Sequence, residues 1–272
     1  MRPLLITPLL LLAACDVAGS SEQRARMDAC GDARQPDVAI AACDRLLGQE
    51  GLSDDARAFA HHGRGRAAME KQDMAAALRD LDEAIRLDPD RSGAFAMRGI
   101  VHGTLGDMEA AIADFSRAIE LDPEDAATFQ NRGKSYSDTG RQQRAVQDFS
   151  RAIALGNDEA ATRNGRCWAR AVLGEELELA REDCEAAVRM APEDGNTLNS
   201  LAFVHFRSGD HAGAVEHYTA SLSLNPKGAS SYYMRGRAKA ELGDATASAD
   251  IAKGLELEPG VAQRYAGYGI AP

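Results

Sequence analysis

Leu87-Asp88-Pro89 returns 34 residues later as Leu121-Asp122-Pro123. Looser copies follow at Leu155-Gly156-Asn157, Met190-Ala191-Pro192, Leu224-Asn225-Pro226 and Leu257-Glu258-Pro259. A fixed period of this size marks a solenoid, because one short unit cannot bury its apolar face alone and must stack on its neighbours. The best-formed unit predicts a first helix over about 94–105, a turn at Gly106-Asp107, a second helix over about 108–121 and a stop at Asp122-Pro123. The turn recurs as Gly140-Arg141, Gly174-Glu175, Gly209-Asp210 and Gly243-Asp244. Glycine suits that place because helices commonly end on a residue at positive φ.

The 272 residues therefore read as one all-α array rather than separate globular domains. Aromatics make up only 5% of an Ala-rich chain, which favours close helix packing over a β-sandwich. A formal charge of −11 argues against an electrostatic nucleic-acid partner. The chain holds no His-Glu-x-x-His helix, Gly-x-Ser-x-Gly elbow or phosphate-binding glycine loop. His61-His62 has no acids at metal spacing, and His205, His211 and His217 fall on different helical faces. The expectation is binding without an enzyme activity, cofactor or metal.

Within the best unit the recurring positions are Phe95, Gly99, Ala111, Phe115, Ala118 and Pro123. The next unit has Phe129, Gly133, Ala145, Phe149 and Ala152, with Asn157 in place of the proline. These residues resemble the tetratricopeptide repeat at its positions 4, 8, 20, 24, 27 and 32. The resemblance implies a right-handed superhelical solenoid of antiparallel helix pairs, with about six to seven repeats. Six units cover 58–261, followed by a tail over 262–272. A degenerate capping repeat precedes them over 22–57, where Ala39, Cys43 and Leu46 keep part of the pattern. One unit carries an extra residue near Glu175-Glu176, and the last is one residue short near Ala245-Thr246. Both changes fall in the inter-helix turn, where length changes are best tolerated.

Aligning the units against each other exposes a covarying pair. Position 7 is Arg64, Arg98, Arg132, Arg166 and Arg235 in five units, and position 23 is then Asp80, Asp114, Asp148, Asp183 and Asp250. Where position 7 is Leu201, position 23 is His217. The joint change predicts an Arg–Asp ion pair tying the two helices of each hairpin, since the guanidinium fork meets a carboxylate bidentately.

In the resembled family the first helices line a concave groove. Carried over by position, that groove would contain Arg66, Gln130, Asn131, Lys134, Asn164, Trp168, Asn199, Phe203, Tyr233 and Arg237. Gln130, Asn164 and Asn199 form an amide ladder one repeat apart, able to donate to and accept from an extended peptide backbone. Trp168 and Phe203 read as an apolar platform. The expected partner is a protein or peptide segment. An alternative is a cell-wall glycan stacked on Trp168 and Phe203. The exposed ends of a solenoid leave a homo-oligomer open.

The beginning of the chain reads as a targeting segment. Arg2 precedes an apolar run over 4–12 that is too short to span a bilayer, ending in Leu12-Ala13-Ala14-Cys15. This resembles the lipobox of bacterial lipoproteins. It implies a signal peptide over 1–14, lipidation of Cys15 with palmitate-type chains, a tether over 15–21 and a periplasm-facing anchor to the inner or outer membrane. The other four cysteines form two close pairs, Cys30 with Cys43 and Cys167 with Cys184. In an oxidising compartment they suit two disulfides, and without a Cys-x-x-Cys spacing they do not suit zinc.

Overall fold

The computed structural model describes residues 24–32 and 34–270. The signal segment, Cys15 and the tether lie outside them. The described residues form fifteen helices and no strand. The helices group into two compact units, the first ending at Pro123 and the second beginning at Glu124.

The first unit holds α1 (24–31), α2 (Pro36–Leu47), α3 (Asp54–Glu70), α4 (Met74–Leu87), α5 (Ser92–Thr104) and α6 (Met108–Leu121). The second holds α7 (Ala126–Asp138), α8 (Gln142–Ala154), α9 (Ala160–Leu173), α10 (Leu177–Met190) and α11 (Gly195–Arg207). It continues with α12 (His211–Leu224), α13 (Ala229–Glu241), α14 (Ala247–Leu257) and the short α15 (Val261–Gly267). Helices pair as antiparallel hairpins, α3 with α4 through α13 with α14, and each hairpin also packs on the next within its unit.

The hairpin turn has two working residues. Gly106, Gly140, Gly174, Gly209 and Gly243 all lie at positive φ, between 72° and 85°. The aspartate that follows most of these glycines caps the next helix: Asp107 accepts from Ala110 N at 3.1 Å, and Asp210 from Gly213 N at 2.9 Å. Beneath the turns, the small residue at position 8 lets the aromatic at position 24 lie against the backbone. A Cβ placed on Gly99 would sit 2.8 Å from the Phe115 ring, so no larger residue fits there. Phe149 fills the equivalent space and also reaches Gly165 of the following hairpin. Phe115 is 2% exposed, and burying such a ring stabilises by roughly 1.5–3 kcal/mol.

The degenerate first repeat is a helix pair, α1 and α2, with Ala39, Cys43 and Leu46 buried. Cys30 and Cys43 are joined across it, with Cα atoms 4.8 Å apart. Cys167 and Cys184 are joined across α9 and α10, with Cα atoms 5.5 Å apart. The inserted residue is absorbed between α9 and α10, where Glu176 takes a left-handed conformation and pairs with Arg170 at 3.0 Å. The missing residue shortens α14, whose start is held back by Asp244 accepting from Thr246 N at 2.7 Å.

Candidate binding groove

Each position-7 arginine meets the position-23 aspartate with two parallel hydrogen bonds. Arg98 Nε and Nη2 donate to Asp114 Oδ2 and Oδ1, both at 2.8 Å. The same geometry joins Arg64 to Asp80, Arg132 to Asp148, Arg166 to Asp183 and Arg235 to Asp250. Burial alone would raise the Asp80 carboxyl, but hydrogen bonds from His61 and Arg64 hold it below the usual carboxylate range. Asp250 behaves alike, with burial opposed by Arg235 and Lys239.

A further acceptor completes this spine, one that no single residue type marks in the sequence. Nη1 of the same arginines reaches back to the preceding hairpin: Arg64 to Asp44, Arg98 to Asp82, Arg166 to Ser150 and Arg235 to Thr219. From Arg98 onward these partners all fall at repeat position 25, a periodic signal that mixes Asp, Ser and Thr and so escapes a search for one residue type. In the exceptional unit Leu201 is buried in the core and the His217 ring lies 4.8 Å from that of His205. His205 in turn bonds Asp210 at 2.8 Å. Burial, and then His205, push the His217 imidazole below its ordinary value.

The residues assigned to the groove have several fates. In the first unit Arg66 donates from Nη2 to Gly31 O, tying α3 to the end of α1, while its Nε is buried and meets no acceptor among the described residues. Near it, burial and the charges of Arg91 and Arg66 push His62 down to about 4. In the second unit Lys134 is exposed and pairs with Asp138 at 2.6 Å on its own helix. Asn131 and Arg237 are half-buried.

The amide ladder divides. Gln130 Oε1 accepts from Asn157 Nδ2 at 2.9 Å, and Asn157 Oδ1 accepts from Thr162 at 3.1 Å. The asparagine that replaces the family's proline therefore latches α7 to the start of α9. Asn199 Nδ2 donates to Ser231 Oγ at 2.7 Å, linking α11 to α13. A polar cleft of about 440 Å³ opens beside this link, lined by residues including Asn196, Ser230 and Lys227. Asn164 differs from both: its Oδ1 is buried and, among the described residues, meets no hydrogen-bond donor.

The aromatic platform exists but is covered. Trp168 and Phe203 lie with ring centroids 5.1 Å apart, as adjacent first helices place them. Phe203 is 0% exposed and Tyr233 3%, so neither is the open groove residue that repeat position suggested. The cover is α15 and the residues after it. Tyr265 stacks on Tyr233 at 5.9 Å and meets Phe203 edge-on at 5.5 Å, while Tyr268 meets Trp168 edge-on at 5.8 Å. The sequence carried a clue, since Tyr265 falls at position 4 and Gly269 at position 8 of a unit that would follow Pro259.

Among the described residues no cluster of His, Cys, Asp or Glu could hold a metal, and no helix is long and apolar enough to cross a membrane. What the geometry defines is a class: a helical-repeat scaffold for protein interaction, built from interlocked hairpins. Tetratricopeptide-repeat family models match residues 64–129, 126–158 and 200–262, and the chain belongs to that family. No curated protein matches it.

Solved structures share the fold. PilW, described as a widely conserved type IV pilus biogenesis factor, is 18% identical with a TM-score of 0.63, covering 74% of this chain and 93% of its own. Pseudomonas aeruginosa PilF is 18% identical with a TM-score of 0.61, covering 78% and 98%. YrrB, described as a TPR protein with an unusual peptide-binding site, is 18% identical with a TM-score of 0.53, covering 66% and 92%.

Proposed function

We propose that this chain is a non-enzymatic scaffold, anchored through Cys15 to a bacterial membrane and facing the periplasm, which captures a segment of a partner protein on the inner face of its second unit. The observation that carries the reading is Asn164 Oδ1, a buried acceptor with no donor. Leaving such a group unpaired costs roughly 1–3 kcal/mol, and a peptide N–H would remove that cost once binding shifts the groups that cover it. Two cysteine pairs at bonding distance support an oxidising compartment. A glycan reader is the weaker alternative, because its platform needs an open Phe203 and that ring is fully buried.

The test is recovery of partner protein from intact cells by the full-length lipidated chain. Asn164→Ala should reduce capture by about tenfold, the equivalent of ~1.4 kcal/mol, without lowering thermal stability. Undiminished capture would remove Asn164 from the site. Retention on purified cell wall, abolished by Trp168→Ala, would instead support the glycan reader.

A further inference from the structure

The segment 261–270 does more than end the last hairpin. A plain continuation of a repeat array contacts only its nearest neighbours. This segment passes from Tyr233 on α13 to Phe203 on α11 and Trp168 on α9, along the inner helices and back through two hairpins. Tyr265 is 1% exposed and Ile270 is 8% exposed. One backbone anchor accompanies these side chains: Arg207 Nη1 donates to the carbonyl of Tyr268 at 3.1 Å. That guanidinium lies over Gly174, where any Cβ would collide with it. The helix itself is 7 residues long, too short to persist without these contacts. Aromatic anchors in pockets plus a held carbonyl are how a groove takes a peptide.

We propose that 261–270 is an internal occupant of the second unit's peptide groove, and that the partner segment displacing it carries the same pattern: two aromatic side chains three residues apart, then an aliphatic residue two further on. This rests on the groove reading above and names the chemistry of its partner. The short connection through Glu258-Pro259-Gly260 keeps the internal copy at a high effective concentration, because a released segment stays tied beside the groove. Casual aromatic segments are therefore excluded, and only one that binds better than the tethered copy gains the face.

The probe is a labelled synthetic peptide of residues 261–270, added to the full chain. A Tyr265→Ala/Tyr268→Ala variant should bind it at least about tenfold more tightly than the native chain, because the native groove is competent only in the fraction of molecules with the segment released. Adding Trp168→Ala should abolish that binding. A folded double variant that ignores the peptide, or binds it no better than the native chain, overturns the proposal.

Should the double variant unfold, hydrogen exchange on the native chain decides. Amides of 261–270 exchanging at least about tenfold faster than those of α13 support a releasable occupant. Exchange as slow as α13 makes the segment a fixed cap and overturns it. If the peptide fails while Asn164→Ala still weakens capture from cells, only this inference falls. If both fail, the groove reading falls with it.

Discussion

At the scale of the residue, the informative unit is the position-7 arginine. Its Nε and Nη2 hold the aspartate of its own hairpin, and its Nη1 holds the hairpin before. A lysine could supply the charge but not three directed donors in one plane. These charges are structural: Asp114 is 7% exposed and faces the helix partner rather than the groove. Asp114→Ala should therefore destabilise by about 3 kcal/mol, the low end for breaking a buried pair, because Arg98 keeps Asp82 as a second acceptor. Chemical denaturation measures this, and partner capture should be unchanged at temperatures where the variant is folded. The pairing could be read from sequence because both members change together at Leu201 and His217. The backward bond was not legible, because its acceptor alternates between carboxylate and hydroxyl and so leaves no single residue signature.

At the scale of the element, the turn governs. Five hairpins turn on a glycine at positive φ, but the hairpin of α3 and α4 turns on Gln72, at φ 62°. A residue with a Cβ pays for that conformation where glycine does not. Gln72→Gly should raise stability by up to about 1 kcal/mol, seen as an increase in melting temperature, and Gln72→Val should lower it. Glycine turns, proline stops and the 34-residue spacing make helix pairs legible in the sequence alone; the extra residue falls in the turn between α9 and α10, as the register predicts, but the missing one is taken from the start of α14 rather than from the turn. The division after Pro123 was not legible, since the Asp122-Pro123 stop there is the same as the stop at Asp88-Pro89. The exit of the chain was also hidden. Repeat phase put Tyr265 at position 4, but a helix broken after Gly267 follows no repeat, and only its contacts show it crossing the inner helices.

At the scale of the whole molecule, shared residues build the scaffold, and the proposed recognition rests on unshared ones. The ion pairs, glycine contacts and caps recur from unit to unit. The amides and aromatics of α7, α9, α11 and α13 do not. Sequence position located that variable face, but it could not tell which of its groups were already satisfied. Gln130 and Asn199 are engaged by neighbours, Phe203 and Tyr233 are covered, and Asn164 keeps a buried acceptor without a donor. The most direct measurement is site-specific photo-crosslinking in intact cells from the full-length lipidated chain. A photoreactive residue at 164, on the inner helix α9, is compared with one at 182, exposed on its hairpin partner α10. A discrete protein adduct from 164 that is missing from 182 is the expected result. Equal adducts from both positions, or an adduct from 182 alone, would contradict it.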